Sequence, residues 1–325
     1  MAGTITHAYF AKDLYSKFDR NTKENLKNYT ENLKTYSQGH DIFFFTLNIL
    51  NYKQRKIGNY MHKNKTRDFF INMITYIKDN NLQNNYEIMS FLYGYIAHYC
   101  LDSTVHPYVT YKTGIFNKKK KETYKYNAKH SELESYIDAY MIKTKENILP
   151  NKFKIHKFCF NTKVSKELSK LIDYTFKKTY NFNNMSIYVK EGIKNMKISY
   201  RLLRYDPYKI KKKIYKAVDK ILPKTIKKTS PISFAYNINN KDTNYYLNLD
   251  HKKWTHPRYK EEIYTYSFID LYNNALKQAL DIIKKVNDIL YNNKPISNLN
   301  KIFLNISFAS GKDCNDKTKN KYFEY

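Results

Sequence analysis

Three polar residues interrupt the most apolar stretch of the chain at intervals of four. In the segment YGYIAHYCLDSTVHPYV they are His98, Asp102 and His106. A step of four residues in an α-helix turns about 400°, so the three side chains share one stripe and lie about 6 Å apart along the axis. Two imidazoles and a carboxylate on one stripe are typical ligands of a divalent metal. Without a metal, a buried stripe of this kind has to satisfy three polar groups in another way.

A second pair with the same spacing follows in the segment KHSELESYID. It consists of His130 and Glu134, which a helix would also place on one face. Two such helices facing each other would form a metal cluster. A histidine beside a carboxylate is also a common structural pair, so neither pair is a strong signal alone. We interpret Asp138, one turn further on, as a candidate for orienting His130.

Three more candidate ligands precede the stripe in the sequence. They are His7 near the amino terminus, Asp41 in the segment GHD, and His62 in the segment YMHKNKT. We interpret His40 as a neighbour of Asp41 rather than a ligand, because adjacent side chains on a helix point in different directions.

The scarcity of turn-forming residues predicts the fold class. The chain has seven glycines and seven prolines in 325 residues, and 42% of its residues are hydrophobic. Sheet proteins need many turns, and turns use glycine and proline. We therefore predict an all-α fold of many helices, with a metal cluster between them. We expect one domain over residues 1–295, with the motifs in a core over 1–145, and a tail over 296–325.

Apolar periodicity and capping signals predict where the helices lie. We expect one helix to begin at Asp41 and the helix of the metal stripe to end before Pro107, because proline disfavours helical geometry in the preceding residue. The asparagine-rich and aromatic-rich segment 232–259 is interpreted as a long loop. The predicted helices span residues 6–18, 66–78, 87–105, 127–145, 165–180, 187–203, 208–218 and 262–290.

The net charge of +29 arises from 58 basic and 29 acidic residues and has two interpretations. It fits an anionic partner, such as nucleic acid, a phospholipid surface or a phosphate ester. It also fits a biased composition, because the lysines are spread along the chain and Lys, Asn, Ile, Tyr and Phe are all abundant. Peripheral contact with an acidic membrane stays open, and nucleic acid is not the favoured partner.

The cysteines and the apolar runs indicate the cellular compartment of the protein. Three widely separated cysteines make no disulfide framework, which suits a reducing environment. The amino terminus shows no basic region followed by a long apolar stretch, so we expect no signal peptide. The apolar runs are too short to span a bilayer. Together these features predict a cytoplasmic protein.

The order of the candidate ligands resembles that of the zinc-dependent phospholipase C family and the related S1/P1-type nucleases. These are all-helical proteins with a cluster of three zinc ions. The resemblance covers residues 1–145, and each pair within it is weak alone, whereas the full series in order is a stronger signal. The matching positions are His7, Asp41, His62, His98 with Asp102, His106, and His130 with Glu134.

The resemblance implies up to three Zn²⁺ sites. Asp41, His62 and His98 would hold one zinc, which Asp102 would bridge to a second. The second would be completed by His7 and the α-amine of the chain, which removal of Met1 would place on Ala2. The third would be held by His106, His130 and Glu134.

The resemblance also implies a reaction, namely phospholipase C-like cleavage of a phosphodiester by a hydroxide bridging the first two zinc ions. Asp41 and Asp102 are then the candidate catalytic residues, and a phospholipid is one candidate substrate. A zinc ion lowers the pKa of bound water towards neutrality and neutralises the charge of a phosphodiester. The alternatives are a nuclease or other phosphodiesterase, and a zinc-binding protein without catalysis.

Overall fold

A computed structural model describes residues 3–45, 52–117, 119–126, 128–221, 231–235 and 240–324. This part of the chain is almost entirely helical, and its only paired strands form one short antiparallel hairpin. The helices are α1 (Thr4–Lys17), α2 (Arg20–Leu26), α3 (Thr30–Tyr36), α4 (Tyr52–Met61), α5 (Thr66–Asp79), α6 (Tyr86–Thr113), α7 (Lys129–Glu146), α8 (Ile155–Phe158), α9 (Lys166–Tyr180), α10 (Met185–Leu203), α11 (Ile210–Ile221), α12 (Asn240–Leu247), α13 (Phe268–Tyr291) and α14 (Leu299–Ile302). The hairpin consists of β1 (Trp254–His256) and β2 (Tyr259–Tyr264). The predicted all-α class is confirmed.

Helix α6 is the centre of the fold. It packs against α1, α3, α7 and α13, and every residue from Ile88 to Asp102 is buried. A helix that is apolar on all sides is stable only in the interior of a protein. Its first turn is capped by the Asn85 side chain, which accepts a hydrogen bond from the Ile88 amide. The stripe of His98, Asp102 and His106 therefore lies on a helix that is buried over most of its length.

The prediction that α6 ends before Pro107 is wrong, since the helix continues to Thr113. Proline cannot donate to the Ser103 carbonyl, and this loss normally breaks a helix. Here Tyr108 and Val109 are fully buried beyond the proline, and their burial offsets the lost hydrogen bond. Gly311 also packs against this point, where a Cβ would lie 2.6 Å from the Ser103 carbonyl oxygen.

Three other predictions of local structure need correction. Asp41 does not cap an α-helix but lies within the 3₁₀ helix Gly39–Phe44, while residues 46–51 lie outside the described residues. The predicted loop over 232–259 contains α12, β1 and the start of β2. The last long helix begins at Phe268 rather than Glu262, because Ser267 and Asp270 form a capping box there.

The hairpin and the tail close over the core. Trp254 pairs with Tyr264, and the register shifts between Thr255 and His256. Phe303 and Phe308 in the predicted tail are buried within the same core. The predicted domain boundary at residue 295 stays a prediction. None of the described helices combines the length and the apolarity that a bilayer crossing requires.

A glycine allows α6 and α3 to approach closely enough to build the site. A Cβ at Gly94 would lie 2.8 Å from Cβ of Tyr36 and 2.9 Å from the Ser37 amide nitrogen. The next residues along this segment lead directly to Asp41. The separation of the two helices therefore sets how far Asp41 lies from the stripe on α6.

We predict that Gly94→Ala destabilises the protein by about 1–3 kcal/mol through overpacking, although alanine favours helices by about 1 kcal/mol. The matched control is Gly58→Ala on α4, where the nearest atoms are side-chain carbons of Phe43 and Phe44 at 3.2 Å. Urea denaturation of both variants measures the difference. Equal stability of Gly94→Ala and the parent protein would contradict the close approach.

Candidate metal centre

Four of the predicted ligands converge in the interior around one carboxylate. His7, Asp41, His98 and Asp102 each present one ligand atom, and these atoms all lie within 4.8 Å of one another. His7, His98 and Asp102 are completely buried, and Asp41 is 4% exposed. They come from α1, the 3₁₀ helix Gly39–Phe44 and α6. The local spacing seen in the sequence thus becomes a cluster only through packing of distant segments.

His62 joins this cluster at its edge. It follows α4, is 4% exposed, and its Nε2 lies 3.1 Å from Oδ1 of Asp41. The same nitrogen lies 3.9 Å from Oδ2 of Asp102. The structure therefore brings together the three residues predicted to share one zinc, Asp41, His62 and His98.

The two oxygens of Asp102 face different imidazoles. Oδ1 lies 3.2 Å from Nε2 of His7. Oδ2 lies 3.6 Å from Nε2 of His98 and 3.9 Å from Nε2 of His62. His7 also lies close to the other ligands, since its ring centroid is 4.6 Å from that of His98 and its Nε2 is 3.9 Å from Oδ2 of Asp41. Asp102 is therefore surrounded by imidazoles within one cluster.

Backbone carbonyls determine which imidazole nitrogen faces the cluster. Nδ1 of His62 lies 2.6 Å from the Gly58 carbonyl oxygen, and Nδ1 of His98 lies 3.2 Å from that of Ser37. A carbonyl oxygen only accepts, so both Nδ1 atoms carry the proton. When the ring is neutral, Nε2 therefore has a free lone pair directed at the carboxylates. This is the arrangement that histidine ligands of metals adopt.

His106 follows the same rule with a partner that is distant in sequence. Its Nδ1 lies 2.5 Å from the Phe308 carbonyl oxygen in the tail. The sequence held no signal for this contact, because every residue has a carbonyl group. The His106 ring centroid lies 6.0 Å from that of His130, whose Nε2 lies 3.0 Å from Oε1 of Glu134. The three residues predicted for a third zinc therefore neighbour one another.

Exposure rises from the centre of the cluster towards α7. The side chain of Asp102 is completely buried, whereas that of Glu134 is 16% exposed and that of His130 is 43% exposed. The cluster therefore opens to solvent at the amino-terminal end of α7. A pocket of about 470 Å³ between α6, α13 and the hairpin is lined by Tyr99 and Trp254 and by none of the eight predicted ligands. That pocket therefore lies outside the cluster.

The electrostatics favour neutral imidazoles beside an ionised carboxylate. Burial lowers the pKa of His98 to about 4 and holds the pKa of His106 well below its ordinary value. Burial opposes ionisation of Asp102, but Coulombic attraction to the His106 and His98 rings in their protonated form holds its pKa well below the usual range. Metal binding requires deprotonated ligands, so these groups are in a state suited to bind a cation.

His7 differs from the other imidazoles. Burial lowers its pKa, but the carboxylates of Asp102 and Asp41 outweigh this effect and raise the pKa above its ordinary value. A cation at this position would replace the proton between the carboxylates and His7. The amine predicted to complete this site belongs to residues 1 and 2, which lie outside the described residues.

His40 forms a wall of the cluster. It is completely buried, and its ring packs against Phe69, Tyr95 and Phe308. Burial holds the pKa of His40 well below its ordinary value, so the ring is neutral. It lies outside the four-residue group that converges on one point, in line with its interpretation as a neighbour of Asp41.

Asp138 anchors α1 through hydrogen bonds to Thr6. Its Oδ1 accepts from the Thr6 amide at 3.0 Å and from the Thr6 hydroxyl at 2.8 Å. A Cβ at Gly3 would lie 2.3 Å from the same oxygen, so a larger residue there would displace the Asp138 carboxylate. These bonds cap the first turn of α1 and position the next residue, His7. The described hydrogen bonds of Asp138 therefore support His7 and give no support to its predicted role at His130.

Asp138 makes stability depend on pH. Burial raises its pKa from about 3.8 to about 6. A folded-state pKa above the unfolded value contributes stability that is fully present below the unfolded pKa and is lost as pH rises through the folded pKa. The amide side chain introduced by Asp138→Asn cannot titrate. We therefore predict that the free energy of unfolding of this variant rises by about 3 kcal/mol relative to that of the parent between about pH 4 and pH 7. Chemical denaturation of both proteins across this pH range measures the difference in their free energies of unfolding. A difference that does not change with pH would contradict the prediction.

Comparison with known families agrees with the predicted resemblance. Residues 6–201 match the family model described as zinc-dependent phospholipase C, and all eight predicted ligands lie within this range. A search of curated proteins and a search of solved structures each gave no significant match. The family match spans more than half of the chain, and it coincides with a buried histidine and aspartate cluster of the right composition. The chain belongs to the zinc-dependent phospholipase C family.

Proposed function

We propose that the chain is a metal-dependent phosphoric-ester hydrolase that cleaves phosphodiesters in the manner of a phospholipase C. The position of Asp102 carries this proposal. Its two oxygens face different imidazoles of one buried cluster, at 3.2 Å for Oδ1 and His7 and 3.6 Å for Oδ2 and His98. A carboxylate in this position is suited to bridge two cations. Family membership supports the hydrolase class, and the exact reaction is our inference.

The donor set fits zinc. Imidazole nitrogens and carboxylate oxygens are the ligands zinc prefers, and it accepts few of them at each ion. Nε2 of His98 is buried and makes no hydrogen bond within the described residues, although a buried polar atom normally has a partner. A cation beside Asp102 would satisfy it. When bound, zinc supplies Lewis acidity, which lowers the pKa of water and neutralises charge on a phosphodiester.

The protein's own residues would orient and desolvate the reacting groups. Asp41 and Asp102 supply buried negative charge that holds cations close together. Asp41 and Asp102 are therefore our proposed catalytic residues. The carbonyls of Gly58, Ser37 and Phe308 fix the imidazole rings, so that little reorganisation is needed on binding.

The substrate would enter from the side of α7. His130 is the most exposed of the eight predicted ligands, and with Glu134 and His106 it forms the proposed third site at the opening. A phosphate group arriving there would meet ligands that are already close to solvent. We propose a phosphodiester substrate, with phospholipids as the leading class. The predicted cytoplasmic location stays a prediction.

We predict that chelation of the purified protein abolishes phosphodiester hydrolysis and lowers the melting temperature. A ligand that binds only the folded state stabilises it by about 4 kcal/mol at a thousand times its dissociation constant. Elemental analysis, calorimetry and hydrolysis of a chromogenic phosphodiester are measured on the same samples. Addition of zinc, but not of magnesium, is expected to restore both properties. An unchanged melting curve in excess chelator would contradict a cluster that joins the helices.

The variant Asp102→Asn tests the bridging role. It keeps the shape of the side chain but removes the charge that holds two cations together. We predict loss of one zinc per chain with nearly unchanged helical content. Hydrolysis is expected to fall by at least roughly 100-fold, which corresponds to the loss of a few kcal/mol of charge stabilisation.

The matched control is Glu134→Gln, at the exposed edge of the cluster, where we expect a smaller fall. Zinc content, circular dichroism and hydrolysis of a chromogenic phosphodiester and a phosphocholine ester are compared in all three proteins. Full zinc content and full activity in Asp102→Asn would disprove the bridging role. Full zinc in the parent without activity on any phosphodiester would favour the non-catalytic alternative.

A further inference from the structure

Helix α11 turns its apolar side chains towards solvent. Ile210, Ile214 and Ile221 are 58%, 53% and 80% exposed, and Ala217 is exposed between them. Their spacing of four, three and four residues places all of them on one narrow stripe of the helix. No residue of α11 is buried. A soluble helix normally buries such a stripe against its own core, so this arrangement is inverted.

Polar contacts hold the opposite side of α11 against the protein. The Tyr215 hydroxyl donates to the Leu203 carbonyl at 2.8 Å, and the Asp219 carboxylate accepts from the Ile232 amide at 2.8 Å. At the start of the helix, the Lys212 amide donates to Asp206 at 3.0 Å. These residues lie across the helix from the isoleucines. The orientation of the stripe is therefore built into the fold.

Lysines flank the apolar stripe. Lys213, Lys216 and Lys220 are exposed along one of its edges. The segment 208–221 contains six lysines and one aspartate, so it carries five net positive charges. Exposed apolar residues beside a row of lysines are the pattern of a helix that lies in the surface of an anionic bilayer. The carbon chains of the lysines would reach along the apolar surface while their ammonium groups meet phosphates.

We propose that α11 docks the protein onto an anionic phospholipid surface, with its isoleucines inserted below the headgroups. The charge argues against a second copy of the chain as occupant, because each copy carries a net charge of +29 and would place lysines against lysines. Nucleic acid would bind the lysines but would leave the isoleucines in water. Only a surface that is both anionic and apolar uses both features of the helix.

Helix α11 is linked through one short segment to α7, which carries His130 and Glu134 at the opening of the cluster. Helix α11 contacts the 3₁₀ helix Pro231–Phe234, which in turn contacts α7. The Ala235 carbonyl that follows accepts from Ser135, the residue after Glu134, at 3.1 Å. The docking itself is independent of the reaction, whereas its use in delivering phospholipid to the cluster rests on the proposed function.

The test is the triple variant Ile210→Gln/Ile214→Gln/Ile221→Gln in the zinc-loaded protein. Its partition onto vesicles made of equal parts phosphatidylcholine and phosphatidylserine is measured by sedimentation. We expect a fall of roughly 100-fold, because each of the three side chains loses much of its burial in the bilayer. The vesicle binding of a second variant, Lys213→Gln/Lys216→Gln/Lys220→Gln, is expected to fall roughly fivefold for each lysine removed. Binding of the parent should also weaken with salt.

The matched control is Ile148→Gln/Ile187→Gln/Ile263→Gln, which removes three isoleucines that are 41%, 62% and 58% exposed outside α11. It should bind vesicles like the parent, and all variants should keep the parent's melting temperature. Equal losses in both isoleucine triples, or parent-like binding by the α11 triple, would overturn the proposal. So would a parent that dimerises through these isoleucines and ignores vesicles, or one that binds RNA but not vesicles.

Hydrolysis of a soluble chromogenic phosphodiester separates this proposal from the proposed function. The α11 triple variant should hydrolyse it at the parent's rate and should lose activity only on vesicles. If the parent binds vesicles through α11 but hydrolyses no phosphodiester, the docking surface stands and the proposed reaction fails. If the parent hydrolyses phosphodiesters and the α11 triple attacks vesicles like the parent, the docking surface fails and the reaction stands.

Discussion

A fully buried carboxylate among four imidazoles is the interaction on which the rest of the structure depends. An isolated carboxylate in the protein interior carries a large desolvation penalty, and Asp102 is completely buried. Its charge is acceptable only if protonated imidazoles, or cations held by the imidazole nitrogens, surround it. The chain supplies these nitrogens from α1, from the end of α4 and from α6 itself. The packing of these segments around α6 therefore answers an electrostatic need as well as a hydrophobic one.

The sequence could predict the parts of the site that depend on local geometry. The spacing of four between His98, Asp102 and His106 is a property of one helix, so it survives any tertiary arrangement. The order of the other candidates predicted a resemblance to the family, and the family match over residues 6–201 confirms it. The sequence could not predict that α6 continues through Pro107, since that depends on Gly311 and on burial beyond the proline. It also missed the Phe308 carbonyl and the hairpin, which arise from contacts between residues distant in sequence.

The same distinction between local and distant contacts explains α11. Periodicity predicted a helix over 208–218, and the structure places one at Ile210–Ile221. Periodicity identifies an apolar face but does not say whether that face turns inward or outward. Here the Tyr215 and Asp219 side chains hydrogen-bond to backbone groups of the protein, and these bonds turn the apolar face outward. Polar anchors on one side leave the isoleucines on the other side without a place in the core.

The candidate ligands differ in exposure from one end of the cluster to the other. Asp102 and His98 are sealed from water, whereas His130 and Glu134 reach the surface. Desolvation of a charged ligand costs least where water is still present, and its attraction to opposite charges is strongest where the dielectric is low. Cations would thus be held most firmly at the Asp102 end, and an incoming phosphate would meet the α7 end first. Because α7 is joined through Ser135 and Ala235 to the segment that supports α11, the outward isoleucines and the opening of the cluster belong to one connected part of the fold.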